Sequence, residues 1–156
     1  MMTMDIEQAI SLALQSKTIA VVGLSRNPEK ASNQVASYLK SHGYELVPIN
    51  PTTNEVLDQK CYRSLLDLPV ALKRQIEVVD IFRRAADVPP VVEQAIELHE
   101  NYAHPVVVWM QLGIVNEEAA AEARKAGLGV VMDRCMRVES ERSDGESDPS
   151  KPSRAN

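Results

Sequence analysis

"IAVVGLSRNPEKAS", residues Ile19–Ser32, is the most informative segment for the fold. It opens with an apolar run, which is typical of a parallel strand buried on both faces of a sheet. Gly23 ends the run, and a turn leads to a helix predicted over residues 31–42. The start of that helix offers free N–H groups and a partial positive charge, so we expect a phosphate group to bind there.

Strands and helices alternate along the rest of the chain. The segments "KTIAVVGL", "YELVPINP", "IEVVDIF", "PVVVWM" and "GLGVVM" are predicted strands, and residues 5–15, 88–101 and 116–126 are further predicted helices. Such alternation predicts an α/β fold with a five-stranded, mostly parallel sheet and helices on both faces. We expect the strand order 3-2-1-4-5, which puts a ligand crevice at the carboxyl ends of the first and fourth strands.

Composition limits the classes of function. A chain of 156 residues fits one domain, and a net charge of −5 disfavours a nucleic-acid surface. Cys61 and Cys135 form no disulfide framework and show no metal-ligand spacing, which indicates a reducing, cytoplasmic location. The chain starts without a basic signal region and has no apolar run of the ~20 residues that span a membrane. We expect one domain over residues 1–139 and a disordered, Ser- and Pro-rich tail over residues 140–156.

The phosphate turn departs from the dinucleotide pattern. Ser25 and Pro28 follow Gly23 in place of further glycines, while Ser25, Arg26, Lys30 and Ser32 add hydroxyl and cationic donors. The second strand ends in "NPTT", residues 50–53, and no carboxylate follows until Glu55. An NAD site favours an acid at this point, so the sequence favours NADP or coenzyme A.

Three segments together resemble a known family: "VVGLSRNPEKASNQVASYLKSHGYELVPINP", "VDIFRRAADVPPVVEQAI" and "VWMQLGIVNEEAAAEARKAGLGVVMDRCM". From about Asp5 to Glu139 the chain is similar to the stand-alone CoA-binding proteins, relatives of the CoA-binding domain of the succinyl-CoA synthetase α subunit. The resemblance implies a three-layer Rossmann-like fold and a free or acylated coenzyme A as the ligand.

The resemblance also implies which residues bind coenzyme A. The turn with Gly23, Leu24, Ser25 and Arg26, together with Lys30 and Ser32, would bind the phosphates, and Asn50 and Pro51 would flank the adenosine. Phe82, Arg83 and Arg84 would line the crevice, and Trp109, Gln111 and Gly113 would face the pantetheine arm. Two alternatives stay open: Trp109 as a core aromatic residue, and Arg83 and Arg84 as a solvated pair at the end of a strand. We expect only one of these two arginine side chains to point inward.

The sequence shows no nucleophile, base and acid in a catalytic arrangement and no metal site. Cys135 follows the fifth strand beside Arg134, which would lower the pKa of its thiol and suit a mixed disulfide with CoA. The alternative is a small buried apolar residue. We therefore expect a CoA-binding carrier, sensor or regulatory protein without catalysis, as a homodimer or with an unidentified protein partner. An NAD(P)-dependent oxidoreductase with an atypical phosphate loop and a vestigial fold used for protein interaction remain as alternatives.

Overall fold

The computed structural model describes residues 4–146, with side chains up to residue 145. The helices are α1 (Ile6–Leu14), α2 (Ala31–Ser41), α3 (Val70–Gln75), α4 (Val88–Tyr102), α5 (Glu117–Lys125) and α6 (Met136–Glu146). The strands are β1 (Thr18–Val22), β2 (Glu45–Ile49), β3 (Glu55–Val56), β4 (Gln59–Lys60), β5 (Val78–Ile81), β6 (Val107–Met110) and β7 (Gly129–Val131). Two 3₁₀ turns, Leu65–Asp67 and Ala85–Asp87, complete the described elements.

Five parallel strands form the main sheet in the order β2-β1-β5-β6-β7, and β3 and β4 form a separate antiparallel hairpin. Alternate residues of each strand point to opposite faces. Ala20 and Val22 pack against one core beneath α4 and α5, whereas Ile19 and Val21 pack against a second core beneath α1, α2 and α6. This three-layer, Rossmann-like arrangement confirms the predicted fold class.

The predicted strand order is wrong. Numbered as the five predicted strands, the observed order is 2-1-3-4-5, because the third strand pairs with the first, with Ile19 opposite Val78. The reason lies in Pro48, whose missing N–H confines β2 to an edge of the sheet. The Pro48 carbonyl points away from β1 and accepts a hydrogen bond from the Tyr62 N–H at 3.0 Å. The winding direction therefore reverses between β1 and β5, and the ligand crevice is expected between the carboxyl ends of these two strands.

Two predicted helix caps are present as side-chain hydrogen bonds. Asp5 accepts a bond from the Gln8 N–H at 2.8 Å, and Asn116 accepts one from the Ala119 N–H at 2.9 Å. In the part of the chain that the structure describes, no helix is long and apolar enough to cross a membrane.

The structure corrects the start of the predicted tail. Residues 140–146 belong to α6, whereas residues 147–156 lie outside the described part of the chain. An ion pair along the helix, from Arg137 to Glu141 at 2.7 Å, supports its exposed face. The nearly buried Glu139 carboxylate lies between Arg134 at 3.7 Å and Arg142 at 3.5 Å, which ties this helix to the preceding loop.

Candidate functional site

The crevice opens where the carboxyl ends of β1 and β5 meet. The Gly23 N–H donates to the Ile49 carbonyl and the Phe82 N–H donates to the Val22 carbonyl, both at 2.8 Å. Gly23 has a φ of 88°, and a Cβ atom at this position would overlap the carbonyl oxygen of Phe82. Glycine is therefore required here by the close approach of two backbone segments, independently of any ligand.

Several side chains of the turn after β1 form hydrogen bonds to the backbone of the same turn. The Ser32 hydroxyl accepts a hydrogen bond from the Ser25 N–H at 3.0 Å, and the Asn33 amide donates to the Ser25 carbonyl at 2.8 Å. Leu24 is fully buried in the core. Lys30 occupies the N-cap of α2 without a side-chain capping bond. The first turn of α2 thus leaves backbone N–H groups for an anion, while Leu24 and Ser32 shape the loop.

Asn50 links two loops of the crevice. Its amide nitrogen donates to the Leu24 carbonyl at 3.0 Å, and its amide oxygen accepts bonds from the N–H and hydroxyl of Thr52 at 3.0 and 2.7 Å. Pro51 beside it is exposed. Asn50 thus holds the two loops in position, and Pro51 is exposed at the edge of the crevice.

Three cationic side chains at the crevice have no ion-pair partner among residues 4–145: Arg26, Lys30 and Arg83. The Cδ atom of Arg83 lies 3.5 Å from the position that a Cβ atom on Gly23 would take, so the side chain lies over the turn. Arg84 points outward, with 87% of its side chain exposed, and pairs with Asp87 at 3.0 Å. Of these two arginines, only Arg83 lies at the crevice.

An open cleft of about 700 Å³ extends from Arg26 along the β3–β4 hairpin. Asn33, Thr52, Thr53, Glu55 and Asp58 contribute polar side chains to its walls, and none of them is among the residues predicted to bind. The sequence did contain a signal, because a polar segment follows the second strand at the ligand edge. Leu57 and Asp58 form the hairpin turn with φ values of 51° and 61°, which non-glycine residues seldom adopt.

Two of the three residues predicted to face the pantetheine arm are buried in the structure. Trp109 is fully buried, and its indole N–H donates to the Arg134 carbonyl at 2.7 Å, so it is a core residue. Gln111 is only 3% exposed, and its amide donates to Asp80. Gly113 remains at the surface, with a φ of 85° and its N–H bonded to the Asp133 carboxylate at 2.7 Å. The side chains of Trp109 and Gln111 thus form hydrogen bonds inside the protein. The sequence alone does not distinguish such residues from ligand-binding residues at the end of a strand.

The two cysteines lie in different environments. Cys61 is buried, and burial raises the pKa of its thiol more than a backbone hydrogen bond at Asn50 lowers it. Cys135 is partly exposed and immediately precedes α6. The guanidinium of Arg134 pairs with Glu139 at 3.7 Å.

A thiol-reactive reagent is therefore expected to modify Cys135 at least about tenfold faster than Cys61 in the folded protein, because the thiolate is the reactive form and needs access. Peptide mass spectrometry after brief alkylation measures both sites. Equal labelling in the native protein would contradict this assignment, and equal labelling in urea is the expected control.

Comparison with known proteins bears on what this crevice holds. The family model described as a CoA binding domain matches residues 17–141. The chain belongs to the CoA binding domain family. Its match includes every strand of the main sheet and all the loops at the crevice.

Three relatives illustrate the range of this CoA-binding family. The uncharacterized protein YneT of Bacillus subtilis is 39% identical over 124 residues, or 80% of this chain and 85% of the relative. A hypothetical protein from Pyrococcus horikoshii has a solved structure with a TM-score of 0.78 and 42% identity, covering 89% of this chain and 92% of that one. The ADP-forming acetate–CoA ligase II of Archaeoglobus fulgidus is 38% identical over 55 residues, only 34% of this chain and 8% of the ligase.

Proposed function

We propose that the protein binds coenzyme A or an acyl-CoA in the crevice at the carboxyl ends of β1, β2 and β5, without catalysing a reaction of its own. The observation that carries this proposal is the match of the CoA binding domain over residues 17–141, a span that contains the whole crevice. On this proposal the protein acts as a carrier, a sensor or a regulatory subunit.

The charges at the crevice suit the phosphate groups of coenzyme A. Arg26, Lys30 and Arg83 form no ion pair within the described residues. Lys30 is the N-cap residue of α2, Arg26 lies in the turn before it, and the Arg83 side chain lies over Gly23. Arginine forms paired hydrogen bonds to phosphate oxygens, and the helix start adds backbone donors and a partial positive charge. A ligand with three phosphates therefore gains more binding free energy at this site than a ligand with a single pyrophosphate.

One observation favours the rival nucleotide. Glu55 and Asp58 both line the cleft beside the hairpin, and a carboxylate near the end of the second strand is the group that accepts bonds from the ribose hydroxyls of NAD. An acid close to the ribose would repel the additional phosphate of coenzyme A. One cation, Arg26, and two acids, Glu55 and Asp58, line the same cleft, and a ligand series decides between the two nucleotides.

Calorimetry with CoA, acetyl-CoA, dephospho-CoA and NAD tests the proposal. We expect CoA to bind at least about tenfold more tightly than NAD, with one site per chain, because the unpaired cations each favour phosphate by roughly 1.4 kcal/mol or more. Binding of NAD without binding of CoA would overturn the proposal and support the oxidoreductase alternative.

Charge reversal tests the assignment of the cations. Arg83→Glu and Arg26→Glu are each expected to weaken CoA binding by roughly tenfold to a hundredfold, because each replaces a phosphate donor by a repelling charge. Arg84→Glu is the matched control, since Arg84 points outward, and it is expected to change the affinity by less than about threefold. If all three variants bind CoA equally, the phosphates lie elsewhere.

A further inference from the structure

Asp80 is a buried carboxyl group in the centre of the sheet, beneath the crevice. It lies on β5 between Val21 of β1 and Trp109 of β6 and is 0% exposed. Its Oδ1 atom accepts a hydrogen bond from the Gln111 amide nitrogen at 2.6 Å, and its Oδ2 atom has no partner. An unpartnered carboxylate oxygen in a protein core costs free energy, so this arrangement calls for an explanation other than stability.

The orientation of the Gln111 amide is fixed from its other end. The Met136 N–H, at the start of α6, donates to the amide oxygen of Gln111 at 3.4 Å. The amide nitrogen is therefore the atom that faces Asp80, and the carboxyl receives one donor. Burial raises the pKa of Asp80 to about 7, although the hydrogen bond from Gln111 lowers it. The group thus changes its charge near neutral pH.

The Asp80–Gln111 pair is connected to the two loops that follow β6 and β7. The Gly113 N–H donates to the Asp133 carboxylate at 2.7 Å, and the Asp133 N–H donates to the Ile114 carbonyl at 3.2 Å. The Trp109 indole N–H donates to the Arg134 carbonyl at 2.7 Å. Together with the bond from the Met136 N–H to the Gln111 amide oxygen, these bonds join residues 109–114 to residues 133–136, so a displacement of Gln111 moves both segments.

Other titratable groups on the elements that cover this face of the sheet are at least partly exposed, except Glu139, whereas Asp80 is fully buried. They are Asp5 and Glu7 at or on α1, Lys30, Tyr38, Lys40 and His42 at or on α2, and Cys135, Arg137, Glu139, Glu141, Arg142 and Asp144 at or on α6. Glu139 pairs with Arg134 and Arg142, and Tyr38 stacks on His42 with ring centroids 3.9 Å apart. Burial and the Gln111 bond are the two causes acting on Asp80.

We propose that Asp80 is a positioning residue that couples the uptake of one proton in the core to the placement of the loops at residues 111–115 and 133–136, and thereby to coenzyme A affinity. The last step rests on the proposed function. When Asp80 is protonated, Gln111 is bonded to a neutral partner and the sheet centre carries no charge. When Asp80 is ionised, the buried charge pulls on the Gln111 amide and repels an anionic ligand in the crevice. Coenzyme A therefore binds the protonated form better.

The free protein tests the coupling to the loops. Backbone amide signals of Gly113, Asp133 and Met136 are followed by NMR from about pH 5.5 to pH 8.5 in the wild type, Asp80→Asn and Asp67→Asn. We expect a common transition near neutral pH in the wild type and in the Asp67 variant, whose altered acid is exposed, and no such transition in Asp80→Asn. Absence of the transition from the wild type, or its persistence in Asp80→Asn, would overturn the coupling.

Calorimetry with CoA tests the ligand step. The dissociation constant of the wild type is expected to rise about three- to tenfold more than that of Asp80→Asn between about pH 6 and pH 8.5. The phosphates of CoA titrate identically with both proteins, so the comparison isolates Asp80. Equal pH dependence would overturn the ligand step while the proposed function stands. Failure of CoA to bind at any pH would overturn the proposed function and the ligand step together, and the amide signals would still decide the coupling to the loops.

Discussion

Replacing Gly23 by alanine is expected to lower the free energy of unfolding by about 2–5 kcal/mol, from steric overlap and from backbone strain together. The added Cβ would overlap the Phe82 carbonyl oxygen, which is backbone and has no room to move within the β1–β5 pair. The φ of 88° adds a further cost for any residue with a Cβ. Urea denaturation of the two proteins measures the difference.

Gly113→Ala is the matched control. Gly113 has a similar φ of 85°, yet nothing lies within 4 Å of an added Cβ. Gly113→Ala is therefore expected to lower the free energy of unfolding by about 1 kcal/mol, from backbone strain alone. Equal losses for the two variants would show that the close approach at Gly23 contributes nothing. A Gly23 variant that no longer binds ligand could therefore have lost binding through a distorted sheet edge, and not only through a blocked phosphate site.

Asp80→Asn is expected to stabilise the protein above neutral pH. Folding raises the pKa of the Asp80 carboxyl from 3.8 to about 7. As pH rises through this interval, the unfolded chain loses the proton and the folded chain retains it. The contribution of Asp80 to the free energy of unfolding is therefore full below about pH 4 and falls by about 1.4 kcal/mol per pH unit, until it is lost once the pH passes about 7.

An asparagine in place of Asp80 would keep the size of the side chain and an acceptor for the Gln111 amide without a titrating group. The variant is expected to match the wild type near pH 4 and to exceed its stability at pH 8 by an amount on the order of 3–4 kcal/mol. Urea denaturation at a series of pH values gives the difference, in which contributions from other carboxylates cancel. A constant difference between pH 4 and pH 8 would contradict the buried titrating carboxyl, and Asp67→Asn is expected to show such a constant difference.

Local features of the fold were predictable from the sequence, because they depend on residues close together in the chain. The caps at Asp5 and Asn116 and the two prolines at the start of α4 are examples. The strand order was predicted incorrectly, since it depends on which distant strands pair. Pro48 nevertheless carried the decisive information, because a proline inside a strand belongs at the edge of a sheet. Applying that rule would have excluded an order with the second strand in the interior.

The sequence predicted the location of the candidate site better than the roles of its side chains. The loops after parallel strands meet at one edge, and the Arg83 side chain lies over the turn at Gly23. Side-chain roles within those loops depend on partners that are distant in sequence. Trp109 bonds to residue 134, and Gln111 bonds to residues 80 and 136, which removes both side chains from the surface. The wall formed by the β3–β4 hairpin was missed for the same reason.

A crystal structure of the protein grown with coenzyme A would locate the ligand and so test the proposed binding site. We expect the diphosphate of CoA at the first turn of α2, within hydrogen-bond distance of the guanidinium of Arg83 or Arg26, with the adenosine in the cleft beside the β3–β4 hairpin. A ligand bound instead in the open groove of about 710 Å³ along α1, between Met4 and Gln15, would contradict this placement.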